Sequence, residues 1–244
     1  MFTTSLLGSM FHQQETGDFC IAGSIALISS PRIAYTRNDI ISRFLRMKYM
    51  DPRTGAVSYP EALCFIDADM VWHEDAIHRM AAHLNKENPI IAGLCFAGKP
   101  ETGMFATAHR LTQKKDGTWD GGTELVAFHD LPQEALVNIG ATGGACIMIH
   151  RNALMGIAGA NRFGVRDGKL AEAIWFEDRG GTWGEDIVFC VKAQTCGFPI
   201  KIHTGIEFGH RKTITVDSDF WLDHKQVGDN PARHGLGQGQ WGAE

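Results

Sequence analysis

Residues 62–69 read Ala62-Leu63-Cys64-Phe65-Ile66-Asp67-Ala68-Asp69, five apolar residues that end abruptly on two carboxylates. A short apolar run, set off by Tyr59-Pro60 before it and turn-forming acids after it, is the pattern of a buried strand. A helix is expected over 73–86. Glu74 and Asp75 stand in its first turn, where the macrodipole favours carboxylates. Ala76, Ile77, Met80, Ala81 and Leu84 form an apolar face at helical spacing, and Pro89 is placed to stop it. Ile90 to Phe96 is the next apolar strand. Strand, helix and strand in this order predict an α/β fold: a mixed, mostly parallel sheet flanked by helices.

The same alternation extends both ways. Residues 2–14 read as a short helix and 18–28 as a buried strand followed by a loop. Pro31 opens a helix to about Met47, since proline in the first turn sacrifices no hydrogen bond. Toward the C-terminus, 145–149 is a strand preceded by Gly140-Ala-Thr-Gly-Gly144, and 173–176 is a strand candidate. A helix over 184–196 closes on Gly197, and 199–203 is a further strand. Residues 100–138 are less regular, with Lys114-Lys115-Asp116-Gly117 as a hairpin turn. The pattern fades after Arg211, and from Gly228 the chain is rich in Gly, Gln and Asn. The expected organisation is one domain over 1–215 and a flexible tail over 216–244.

The 244 residues are 44% hydrophobic and 21% charged, enough for a substantial core in a soluble protein. A net charge of −5 supplies no global basic field for nucleic acid or an anionic membrane. Cysteines occur at 20, 64, 95, 146, 190 and 196, never as C-x-x-C and mostly inside apolar runs. They read as reduced, buried thiols acting as small hydrophobes, in keeping with a cytoplasmic setting. No apolar run approaches the roughly 20 residues needed to span a bilayer, and Met1 to Gly8 lacks the basic start of a signal peptide.

Three segments carry candidate chemistry. Asp67 and Asp69 sit at the carboxyl end of a buried strand, where open α/β sheets bind ligands, and carboxylates with phosphate oxygens suit Mg2+ or Mn2+. Solvated turn carboxylates are the competing reading. Gly181-Thr-Trp-Gly-Glu185-Asp186 places two acids at a helix start, which is stabilising without catalysis. Its glycines and Trp183 are also suited to close contact with a ligand and a sugar ring. In Gly209-His210-Arg211-Lys212, His210 is either a surface histidine or a metal ligand, and Arg211 and Lys212 are cations for a diphosphate. His73, His78 and His83 recur every five residues, so successive rings point about 140° apart on a helix; they read as solvated surface.

Taken in order, these parts resemble GT-A glycosyltransferases: a strand ending in D-x-D, a G-G-A-x-x-x-I strand, a W-G-E-D helix start, then a strand and G-H-R-K. Residues 183–197 look like the acceptor-side helix of family-2-like enzymes, and Tyr35-Thr36-Arg37-Asn38 resembles their A-R-N stretch. Gly209 to Lys212 resembles the metal-histidine segment of polypeptide N-acetylgalactosaminyltransferases. The match spans about 18–212 by motif order. The resemblance implies a metal-dependent hexosyl- or N-acetylhexosaminyl-transferase using Mn2+ or Mg2+ and a nucleotide-diphosphate sugar, UDP-sugar favoured. It implies that Asp69 and His210 ligate the metal, with Asp67 completing the shell or contacting the ribose. Arg37 and Asn38 would lie near the nucleotide, Gly143 and Gly144 along the donor-sugar pocket, and Trp183 and Glu185 toward sugar and acceptor. Asp186 would be the general base of an inverting member, with Glu185 next in line; retaining enzymes also use a metal histidine. Where the family opens on a strand that holds the base, this chain opens on Phe2-Thr-Thr-Ser-Leu-Leu, helix-like. Compact chains of this kind resemble phage-encoded transferases of the host cytoplasm, whose acceptors are hydroxymethylated DNA bases, virion proteins or surface glycans.

Competing classes are a nucleotidyltransferase, which needs an N-terminal Gly-rich loop, a metal-dependent phosphoesterase, which needs more clustered ligands, and a non-catalytic binder of nucleotide sugar or carbohydrate. Lys114, Lys115, Arg162, Arg166, Arg211, Lys212 and Arg233 are the cations available to a DNA acceptor, with scattered surface charge as the plainer reading.

Overall fold

The computed structural model describes residues 2–17, 32–50, 54–99, 103–112, 114–115, 122–160, 165–166, 169–170, 174–179 and 183–211. The chain divides into two compact units, Met1–His210 and Arg211–Glu244. In the second unit only Arg211 is described, so the tail expected over 216–244 lies outside the described residues, as does the strand expected over 18–28.

In chain order the first unit contains α1 (Phe2–Thr16), α2 (Ile33–Arg46), β1 (Tyr49–Met50), β2 (Val57–Ser58), β3 (Ala62–Ile66), β4 (Met70–Trp72) and α3 (Ala76–His83). There follow β5 (Ile90–Lys99), β6 (Gly103–Ala106), β7 (Ala108–Leu111), β8 (Thr123–Leu125), β9 (Leu136–Ile139), β10 (Ala141–Thr142) and β11 (Cys146–His150). The last elements are α4 (Arg151–Ala160), β12 (Val165–Arg166), β13 (Lys169–Leu170), α5 (Glu185–Thr195) and β14 (Ile200–His210). The central sheet runs β3-β11-β5-β14-β4, with β6 also paired to β5 and β9 to β14. It is mixed, and helices cover both faces.

The strands alternate cleanly between two cores, as period-2 geometry requires of a sheet buried on both sides. Ile90, Ala92, Leu94, Ile147 and Ile149 face a core shared with Ile41 and Phe44 of α2, Leu154 and Ile157 of α4, and Phe189 and Ala193 of α5. Ile91, Cys95, Cys146 and Met148 face the other core, with Ala76, Ile77 and Met80 of α3 and the partly buried Phe2 and Leu6 of α1. A bulge in β14 between His203 and Glu207 switches its faces: Ile200 and Ile202 join the first core, Ile206 and Phe208 the second.

The expected mostly parallel pairing is corrected. Among the described strand pairs only β5 with β14 is parallel. β3, β5 and β14 do point the same way, but β11 runs antiparallel between β3 and β5, and β4 folds back antiparallel on β14. The 73–86 helix is also shorter than its apolar pattern. Its start is taken by a turn over 73–75, and its end by Asn85, whose Oδ1 accepts the N–H of Glu87 (3.0 Å) and Asn88 (2.7 Å). Residues 174–176 are not a strand, because their backbone bonds to a side chain of α2. Residues 100–138, read as irregular, contribute β6 to β9, and β7 and β8 pair antiparallel on either side of the expected 114–117 turn. α5 ends where expected, with Gly197 at φ +81°, a conformation that costs residues with a Cβ.

Cys95, Cys146 and Cys190 are buried free thiols, while Cys64 and Cys196 are half-buried. Burial pushes Cys95 and Cys190 up to about 12 and raises Cys146 as well, so these thiols stay protonated and inert. No helix among the described residues is long and apolar enough to cross a membrane.

Candidate active site

Since β3, β5 and β14 are co-directional, their carboxyl ends meet at one edge of the sheet, the position where α/β sheets bind ligands. Asp67 follows β3 directly, and its N–H donates to Ala145 O (2.9 Å) at the entry to β11. The chain then turns, with Met70 N–H donating to Asp67 O (3.1 Å), and β4 pairs with β14 so that Met70 stands opposite His210. This short strand, which the sequence reading does not contain, delivers Asp69 to His210 across 141 positions of chain: His210 Nε2 lies 2.7 Å from Asp69 Oδ2.

The tautomer follows from the other side of the ring. His210 Nδ1 lies 3.2 Å from the Phe96 carbonyl, which only accepts, so Nδ1 carries a proton. In a neutral ring Nε2 is then a lone pair facing a carboxylate oxygen. Two electron-pair donors at this separation need a cation between them, either a proton or a metal ion. An imidazole whose remote N–H is fixed by a carbonyl is the ordinary arrangement of a metal histidine. The side chains are 18% exposed at His210 and 47% at Asp69, so the pair opens to solvent.

Asp67 is drawn elsewhere. Arg37, only 6% exposed, donates from Nη2 to Asp67 Oδ1 (3.2 Å) and to Gly144 O (3.0 Å), and from Nη1 to Glu185 Oε1 (3.0 Å). Its guanidinium also lies 5.2 Å from the Phe176 ring centroid and 5.9 Å from that of Phe65. The three metal ligands implied by the resemblance are therefore not gathered: Asp69 and His210 meet, while Asp67 pairs with Arg37. Among the described residues no group of three or more His, Cys, Asp or Glu side chains is arranged to hold a metal. Desolvation raises the Asp67 carboxyl above its usual range against the opposing pull of Arg37, and Asp69 adds to the rise.

Arg37, expected near the nucleotide, bridges the D-x-D turn, the Gly144 backbone and the start of α5. The signal for this is legible in α2. Arg37, Ile41 and Phe44 follow helical spacing on one buried face, and a cation at a core position must find anions. Gly144 is glycine for the same reason, because a methyl at its Cα would overlap the Arg37 guanidinium.

Asn38, expected near the nucleotide, is bonded to the backbone of residues 175–176. Its Oδ1 accepts the N–H of Trp175 (3.0 Å) and Phe176 (2.9 Å), and its Nδ2 donates to Phe176 O (2.7 Å). Asp186 accepts Gly144 N–H at Oδ2 (3.2 Å) and Ile187 N–H at Oδ1 (2.8 Å). Gly143 N–H donates to Thr107 O (3.4 Å). Trp183 is half-buried against the first core, and Arg211 is exposed. Lys212, Gly181 and Thr182 lie outside the described residues, as do Arg162 and Arg233; Lys114 and Lys115 are exposed.

The helix-73 histidines divide three ways. His73 is exposed, with Nδ1 2.8 Å from Asp75 Oδ1. His83 is half-buried, its ring 4.8 Å from that of His203. His78 is 6% exposed. The solvated reading fails for His78 because the α1 helix covers α3.

No family model and no curated protein sequence matches the chain. Among solved structures it is similar to the crystal structure of A197 from STIV, at 16% identity and a TM-score of 0.45, over 85% of this chain and 80% of that one. It is also similar to GalNAc-T7 determined with UDP, GalNAc and Mn2+, at 15% identity and a TM-score of 0.39, over 64% of this chain and 28% of that one.

Proposed function

We propose that the chain is a metal-dependent glycosyltransferase of GT-A type that moves a sugar from a nucleotide-diphosphate donor, UDP-sugar favoured, to a hydroxyl acceptor. The observation that carries this is the His210–Asp69 pair. A fixed-tautomer imidazole and a carboxylate converge at 2.7 Å at the carboxyl edge of the sheet. A hard cation such as Mn2+ or Mg2+ held by few protein ligands takes the rest of its shell from substrate phosphates and water. The donor set fits that ion, and when bound the ion neutralises charge on the departing diphosphate. The Arg37 bridge holds Asp67 and Glu185 on one guanidinium, so both carboxylates are positioned before substrate enters.

Asp186 and Glu185 stay the two candidates for deprotonating the acceptor. Asp186 is engaged by two backbone N–H groups, Glu185 by Arg37. The acceptor classes to be screened are hydroxymethylated DNA, protein and glycan.

Calorimetric titration with UDP, with and without Mn2+, tests the reading. Metal-dependent binding that is lost in His210→Gln and Asp69→Asn is expected. UDP binding indifferent to Mn2+, or none at all, would overturn it.

A further inference from the structure

α1 docks on the domain through one row of residues, Phe2, Ser5, Ser9 and His12, spaced three and four apart so that they share a helix face. The Phe2 ring packs on Trp72 at 5.1 Å. Ser5 Oγ accepts Trp72 N–H (3.2 Å), and the buried Ser9 Oγ accepts Trp72 Nε1–H (3.1 Å). His12 is the next member of the row, and it meets His78 of α3 with ring centroids 4.9 Å apart and planes at 68°.

His78 poses a chemical problem. It is 6% exposed, and among the described residues neither of its ring nitrogens has a hydrogen-bond partner. A neutral imidazole owns one N–H and one lone pair, and leaving such groups buried and unsatisfied is destabilising. Buried polar atoms of this kind call for an explanation, and a metal ion on the ring's lone pair is one. The geometry admits it. With Zn–N of about 2.0–2.1 Å and tetrahedral angles, two imidazoles on one ion have centroids about 5 Å apart.

The second histidine pair, His83 with His203, has similar ring spacing but different chemistry. His203 Nδ1 accepts Gly205 N–H (3.2 Å), so its Nε2 keeps the proton and offers no lone pair. Nothing of the sort ties up His78.

We propose that His12 and His78 form a site for a borderline divalent ion of the zinc or nickel class, which clips α1 onto α3. Imidazole pairs select such ions over Mg2+ and Mn2+, which favour oxygen ligands like those of the Asp69 region. Among the described residues no third acidic or thiol side chain completes the pair, so an ion held there would draw the rest of its shell from solvent. None of these residues belongs to the candidate active site, and the clip stands whether or not the transferase reading holds.

The test is zinc titration by calorimetry with parallel melting curves, run on the full chain carrying His210→Gln so that the Asp69 pair cannot report. The expected result is one bound zinc ion and a melting temperature that rises with zinc concentration. Both should be lost when His12→Gln is added, a half-buried position where glutamine preserves the helix. No zinc bound to the His210→Gln chain, or binding that survives His12→Gln unchanged, overturns the proposal.

Discussion

Replacing Arg37 by methionine removes a buried cation that touches three parts of the candidate site at once. Methionine keeps the long unbranched stem in the first core but drops the hydrogen bonds to Glu185, Asp67 and Gly144 O. Breaking a fully buried ion pair costs about 3–5 kcal/mol, mainly through the anion left behind. Here the anions are partly wet: the Glu185 side chain is 22% exposed and that of Asp67 48%. Water can therefore take over part of both interactions, and the ion-pair share shrinks accordingly. The Gly144 carbonyl, bonded in a buried setting, adds about 1 kcal/mol. A net loss of about 3 kcal/mol results, equivalent to a fall of about 6–12 °C in melting temperature for a domain of this size. Lysine restores the charge but not the planar fork, which here reaches three acceptors in two directions, so Arg37→Lys should recover less than half. Melting curves and urea titration of the three proteins provide the measurement. A double-mutant cycle with Glu185→Gln should return a coupling of about 1–2 kcal/mol. Arg37→Met melting within 1 °C of the parent, or a coupling near zero, would refute the bridge as the element that fixes this edge.

Gly144→Ala should destabilise by about 1–3 kcal/mol, because the new methyl overlaps the guanidinium and must displace it; in an Arg37→Met background most of that cost should vanish. Asp186→Asn should leave metal-dependent UDP binding intact and remove transfer, measured by donor titration against product formation; full turnover would pass the base role to Glu185. Stability should fall as pH drops below about 6.5. Burial holds His109 and His203 below the ordinary imidazole range, and at His203 neighbouring His83 and Arg79 push the same way. The unfolded chain then takes up protons that the native state refuses, so stability present above the unfolded value is lost on acidification. A second loss is expected further down, below the ordinary carboxylate range, where Glu177 gives up its bond to the buried Lys192 (3.0 Å). Melting temperature against pH should show both steps, and His203→Gln should shallow the first.

Much of this arrangement is legible in the chain because it depends on local periodicity. The apolar run ending at Asp67, the helix starting at Glu185, the glycine closing it and the strands at 90 and 146 each follow from burial patterns a few residues long. The approach of Arg37 to anions is also foreshadowed, since a cation in register with Ile41 and Phe44 has to be compensated. Which anions it meets is not: residues 30 and 148 positions away along the chain compete for it, and only the packing of α2 against β3 and α5 selects them. The separation of Asp67 from the Asp69–His210 pair has the same origin, as does the antiparallel placement of β11, for neither leaves a trace in local spacing. Likewise β4 is three residues long, too short for any period to register, yet its pairing with β14 is what sets Asp69 beside His210. His78 makes the reverse case. Its five-residue spacing from His73 and His83 correctly keeps the three rings apart, but burial under α1 is a property of another helix. Sequence by itself determined the elements long enough to carry a period and the candidate ligands. Tertiary structure decided which ligands face one another, because that choice rests on contacts between segments that share no local pattern.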